Sequence, residues 1–133
     1  MSGKFSFTLE RDRGLVRISM HGFYRLDDVA HFFEARRKAH AELGLARGAH
    51  LTLNDLRGMK IQAQEVIQAF QQGLAVPEEK ARKLAIVVDA AMARGQANRA
   101  ISSADTRYFT DIESAEAWLF EGEPAVGELQ HAG

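Results

Sequence analysis

Five histidines, His21, His31, His40, His50 and His131, are the first residues to weigh as acids, bases or metal ligands. No two stand in a His-x-x-x-His pair, and none has a carboxylate at ligand spacing on a shared helix face, so no metal motif is present. His31 and His40 share roughly one side of a helix, where the plain expectation is two solvated rings. The chain has no Cys, which removes disulfides, thiolate metal sites and thiol catalysis together and suits a reducing compartment. A Gly-x-Ser-x-Gly nucleophile elbow is absent as well. Two segments carry more: Asp55-Leu56-Arg57-Gly58-Met59-Lys60 and Asp89-Ala90-Ala91-Met92-Ala93-Arg94-Gly95. Neither holds the Gly-Lys-Ser/Thr of a phosphate loop. Each follows an apolar stretch, however, and each sets a carboxylate where a strand should close and an arginine in the turn beyond it. Ligands of open parallel sheets sit past the carboxyl ends of strands, near a reversal of strand order. Asn54, Asp55, Arg57, Asp89 and Arg94 are therefore the candidate ligand- or partner-binding residues, a mixed-charge rim. The competing structural reading has Asp55 and Asp89 capping backbone amides, which Asp does well. Arg36-Arg37-Lys38 reads as the wet face of a helix, with no interleaved aromatics to suggest nucleic acid. Phe23 and Tyr24, after Gly22, either form a contact patch or pack across a helix start.

The elements that would hold these residues follow from periodicity. Phe5, Phe7 and Leu9 alternate with Ser6, Thr8 and Glu10; after a turn at Arg11-Asp12-Arg13-Gly14, Val16, Ile18 and Met20 alternate with Arg17 and Ser19. This is an antiparallel hairpin with one half-wet face. Leu26 to Leu43 has helical spacing through Val29, Phe32, Phe33, Ala35, Ala39 and Leu43. Asp27 and Asp28 suit its positive end, and Gly44 is its stop. His50 to Leu56 is a short strand with Leu51 and Leu53 inward. Ala63, Val66, Ile67, Phe70 and Leu74 make a second amphipathic helix ending before Pro77. Leu84 to Val88 is continuous and apolar, as a strand covered on both faces should be. A third helix is expected over roughly 91–101, then a short strand at Arg107-Tyr108-Phe109. Thr110 and Glu113 have capping-box spacing ahead of a last helix through Ile112, Ala115, Trp118 and Leu119. The order ββαβαβαβα predicts a mainly parallel α/β sheet with an antiparallel N-terminal edge strand, layered by helices.

With 133 residues, one compact domain is expected over 1–121, with 122–133 as a flexible C-terminal tail. Such a chain buries roughly 65–70% of its unfolded surface. Seventeen basic and 18 acidic side chains leave a formal net charge of −1, which offers nucleic acid or an anionic membrane no attracting field. The longest apolar run, Leu84 to Val88, is far short of the ~20 residues that span a bilayer. The start, Met1-Ser2-Gly3-Lys4-Phe5, lacks the apolar core of a signal peptide, so the expected location is cytoplasmic.

Taken together, the element order and three segments resemble the STAS superfamily, and more closely its small SpoIIAA-like proteins. The segments are Asn54-Asp55-Leu56-Arg57-Gly58 closing the third strand, Arg82 to Val88 as the fourth, and Arg107 to Leu119 with its Ala117-Trp118-Leu119 helix. The resemblance covers roughly residues 5–120. It implies a protein-interaction or small-ligand module and not an enzyme; a regulatory protein is the expected partner, and no cofactor or metal is expected. In the anti-sigma-factor antagonists that it resembles, a Ser or Thr at the start of the helix after the third strand is phosphorylated, and the added charge blocks a partner kinase. The matching stretch here, Met59-Lys60-Ile61-Gln62-Ala63-Gln64-Glu65, has no hydroxyl, and no Ser, Thr or Tyr occurs from Leu53 through Ile101. The fold and non-catalytic character carry over; that switch does not.

Two functional readings remain at the level of sequence. The first is a protein-recognition module working through the loop and helix after Asp55, for which exposed Met59, Ile61 and Ile67 would speak. The second is a binder of a small polar or lipid-like ligand at the carboxyl ends of the strands. An enzyme is not expected. Adjacent Phe32 and Phe33 leave two outcomes open, a homodimer or burial of both rings against the sheet and a neighbouring helix.

Overall fold

A computed structural model describes residues 3–46, 48–90 and 105–122. Five strands form one sheet: β1 (Lys4–Glu10), β2 (Leu15–Gly22), β3 (Leu51–Met59), β4 (Lys83–Val87) and β5 (Thr106–Phe109). Three described helices flank it: α1 (Leu26–Leu43), α2 (Gln64–Leu74) and α3 (Ile112–Phe120). The hairpin forms as its alternation predicts, with β1 antiparallel to β2 in the register Phe5↔Met20 and Phe7↔Ile18. Gly14 closes the turn at φ 62°, in the left-handed region that glycine enters without a Cβ penalty. All other pairs are parallel, and β4 lies between β3 and β5. Ala85, Ile86, Val87 and Val88 are buried there, as a doubly covered strand requires.

The strands lie in the order β1-β2-β3-β4-β5. That order contains no reversal, so the crevice that opens at a topological switch point is not built into this sheet. One face of the sheet packs Val16, Ile18 and Met20 against Tyr24, Val29, Phe32 and Leu43 of α1 and its approach, and against Val66 of α2. The other packs Leu15, Leu51, Leu53, Ala85 and Val87 against Ala115 and Leu119 of α3. The period of two along each strand sorts neighbours onto opposite layers.

Several boundaries differ from the sequence expectation for identifiable reasons. β3 runs on to Met59 where the strand was expected to end at Leu56. A register shift between Ser19 and His21 lets β2 continue, so that His21 pairs with Gly58 and Gly22 with Met59. Gly58 lets the exposed His21 ring lie against the strand, since a Cβ there would stand 2.3 Å from that ring and turn it aside. The last helix is capped by Asp111 and not by Thr110: the Asp111 carboxylate accepts from Ser114 N–H at 2.7 Å. At the start of α1, the Asp28 carboxylate accepts from the backbone N–H of Arg25 (2.9 Å) and of Gly3 (3.2 Å), tying the N-terminus to the helix. Gly44 ends α1 as expected, at φ 74°. The third helix expected over 91–101 lies outside the described residues. Phe32 is 1% exposed, and Phe33 packs edge-on against Phe32 and Phe70 at 5.1 and 5.9 Å, so both rings are used within the chain.

Candidate functional site

Of the five residues singled out in the sequence, the strand β3 sets Asn54 apart from Asp55 and Arg57. Asn54 is buried and faces the α1–α2 layer, in register with Ile18 and Ile86. Asp55, one residue on, belongs to the opposite face by the same alternation. Arg57, two residues further, shares that face and grips Asp55 in a bidentate pair, with Nε and Nη2 donating at 2.9 and 2.8 Å. Arg57 N–H also donates to Asp55 Oδ1 at 3.0 Å, which is the amide-capping role that the structural reading assigned to this aspartate. Hydrogen bonding from Arg57 holds the Asp55 carboxyl below its ordinary range, and Arg57 is raised in return. Both therefore stay charged at neutral pH. Asp89 is exposed just beyond β4. Arg94 lies outside the described residues.

A different surface is assembled at the carboxyl ends of β2 and β3. The segment before α1 and the segment before α2 are stitched together: Lys60 N–H donates to Gly22 O at 3.0 Å, Gln62 Nε2 donates to the same carbonyl at 3.0 Å, and Tyr24 N–H donates to Gln62 Oε1 at 2.8 Å. On this braced pair of loops, Ile61 is 92% exposed, and Phe23 and Leu26 are 44% and 51% exposed. Between the two helix starts runs an open groove of about 310 Å3, lined by Phe23, Leu26, Asp27, Ala63 and Glu65 among others. Of the three apolar residues expected to mark a partner surface, Ile61 is bare, whereas Met59 packs on the core and Ile67 is half-buried.

The site that sequence reasoning missed lies under the C-terminal half of α1. Arg36 and His40 were expected in solvent, yet Arg36 is buried and the His40 side chain is 12% exposed. His40 Nδ1 donates to the Glu79 carboxylate at 2.8 Å, and its ring lies 4.1 Å from that of His50. Burial lowers the pKa of His40, with Glu79 pulling the other way. Burial, then the neighbouring His40 and Arg36, push His50 down to about 3. Both rings are neutral at pH 7. Arg36 Nη2 donates to Gly73 O at 3.1 Å, and the guanidinium rests 4.8 Å over the Phe33 ring. The signal was present in the spacing: 29, 32, 36, 40 and 43 run down one helical stripe. Charge type outweighed position in the sequence reading, although an arginine stem packs as readily as a hydrocarbon.

Among the described residues, no group of three or more His, Asp or Glu side chains could hold a metal ion. No described helix is long and apolar enough to cross a membrane.

This architecture, one hairpin-edged parallel sheet between helical layers, defines an α/β domain of the SpoIIAA-like fold. A solved structure from Shewanella loihica PV-4, an uncharacterized protein of the DUF3478 family with a SpoIIAA-like fold, superposes with a TM-score of 0.65 at 15% identity, covering 89% of this chain and 94% of that one. An anti-sigma factor antagonist from Mycobacterium paratuberculosis superposes with a TM-score of 0.58 at 10% identity, covering 87% of this chain and 94% of that one. At these identities the likeness establishes the fold alone. No family model and no curated protein matches the sequence.

Proposed function

We propose that this chain is a non-catalytic, regulatory protein-interaction module of the cytoplasm, and that it meets its partner at the carboxyl ends of β2 and β3. The observation that carries this reading is Ile61, 92% exposed on a loop that three hydrogen bonds hold in place. An apolar side chain on a mobile loop is unremarkable; one held out on a braced loop beside two further exposed apolar residues and a groove resembles the core of an interface. Asp55 and Arg57 supply a charged pair nearby, at the end of the same strand. The similarity to an anti-sigma factor antagonist supports a partner that is itself a regulatory protein. Because the segment after β3 has no hydroxyl, control of that contact by phosphorylation there is not part of the proposal.

The alternative, a small polar or lipid-like ligand at the carboxyl ends of the strands, has less support, since Asn54 and Asp55 point to opposite faces. The test is affinity capture from the native cell extract with the wild-type chain and with Ile61→Asp. One protein recovered in near-equal amount by the wild type, and at least about tenfold less by a variant of unchanged melting temperature, is the expected result. Equal recovery by both chains would place the contact elsewhere and overturn the assignment of this surface.

A further inference from the structure

Away from the Ile61 surface, a cavity of about 220 Å3 lies between the C-terminal half of α1, the turn at Pro77–Glu79 and the sheet. Its apolar walls include Ile18, Phe32, Leu84 and Ile86, and its polar side includes Arg36 and Asn54 together with the carboxylates of Glu79 and Asp105, each of which is engaged within the chain. Arg36 is the unusual member. It is 8% exposed, spends one hydrogen bond on Gly73 O, and leaves Nε without a partner. The carboxylate whose charge it feels, Glu79, is engaged by His40 instead. Burying a cation is costly unless an anion and full hydrogen bonding compensate it, and here neither is complete. Asn54, 9% exposed, also leaves its Oδ1 unpaired. An amide turned about its last torsion offers its NH2 in the place of that oxygen.

We propose that this cavity binds a small monocarboxylate with a short apolar body. The carboxylate accepts hydrogen bonds from Arg36 and Asn54, and the body lies against Ile18, Phe32, Leu84 and Ile86. Nε and Oδ1 are covered in the present rotamers, so binding includes a turn of both terminal groups. Pockets of this kind, apolar with a few convergent polar groups, are the usual form of small-molecule sites. A cavity of about 150 Å3 accepts benzene, so this one suits a body of about six to eight carbons. The inference is independent of the partner surface and concerns a different end of the sheet.

Ordered water could satisfy the same atoms without discriminating among solutes, and the experiment separates the two. The full chain is titrated at neutral pH with hexanoate and with benzoate, following amide NMR shifts and melting temperature. Hexanol and benzyl alcohol serve as neutral counterparts, and inorganic phosphate as an anion without a body. The expected result is saturable binding of at least one carboxylate with a Kd of about 1 mM or tighter, and binding of its alcohol and of phosphate weaker by about tenfold or more. Arg36→Met, which keeps an apolar stem and removes the charge, weakens the carboxylate by about tenfold and leaves the alcohol unchanged. Should that variant fail to fold, Leu84→Phe, which fills the apolar end, abolishes carboxylate binding with the rest of the spectrum preserved. No saturable shift at about 10 mM, an alcohol that binds as well as its acid, or undiminished binding by either folded variant overturns the proposal.

Discussion

Tyr24 shows what a dry environment demands of a polar side chain. Its ring is fully buried and stands edge-on to Phe70 at 5.4 Å, while its hydroxyl donates to Lys4 O at 2.5 Å. Burial pushes its pKa up to about 12, so the phenol remains a donor across the whole physiological range. Tyr24→Phe keeps the packing and removes the donor, leaving the Lys4 carbonyl short of a partner. The expected cost is about 1–2 kcal/mol, read as a lower urea midpoint with an unchanged slope; an unchanged midpoint would mean that the carbonyl finds water instead. The Asp55–Arg57 pair is the opposite case. Its arginine side chain is 46% exposed, and such pairs contribute little to stability because solvent screens them.

At the scale of elements, α1 and α2 approach closely at a glycine. A Cβ at Gly73 would stand 2.2 Å from the Phe33 ring, and the Gly73 carbonyl also accepts from Arg36. Helix propensity alone favours alanine over glycine by about 1 kcal/mol, but close packing opposes it. Gly73→Ala is expected to destabilise by about 1–3 kcal/mol, and Phe33→Leu in the same chain to recover part of the loss through coupling of neighbours. A Gly73→Ala chain that melts higher than wild type would show that the helices have room to part. The loops before α1 and α2 are ordered by the same economy. Their carbonyls and amides are consumed by Gln62 and by each other, and among the described residues nothing covers the side chain of Ile61. Sequence spacing predicted both helices well because each has an apolar stripe. It did not predict that β3 would extend to Met59, since that depends on pairing with β2, a strand distant in the sequence, across a one-residue bulge in β3.

For the molecule as a whole, the His40–His50 pair links protonation to folding. His50 takes a proton in the unfolded chain near its ordinary 6.5 but in the fold only near 3. Between those values unfolding takes up a proton, so stability is complete above about pH 6.5 and falls as the pH drops toward 3. Between about pH 7 and pH 5 the loss from His50 is about 2 kcal/mol. His40, also lowered by burial, acts in the same direction. The lowered carboxylates, such as Glu10 and Asp55, contribute only at more acid pH. Urea titrations of wild type and His50→Gln at the two pH values check this. The variant should lose less than half as much stability as wild type, and equal losses would mean that His50 is protonated in the fold.

The amino-acid sequence by itself determined the layered α/β architecture, the antiparallel N-terminal edge, the interior apolar strand and the absence of a hydroxyl after β3. These follow from short-range periodicity and from composition, which no packing partner can alter. Asn54, Asp55 and Arg57 were legible as residues at a strand end. That Asn54 and Asp55 face opposite layers follows from strand alternation, whereas the return of Arg57 to Asp55 across the bulge is a feature of the folded strand. Tertiary structure alone decided that Arg36, His40 and His50 lie out of water together. It brings the end of α1, the residue before β3 and the turn after α2 to one place, and burial is a property of that assembly and not of any residue within it.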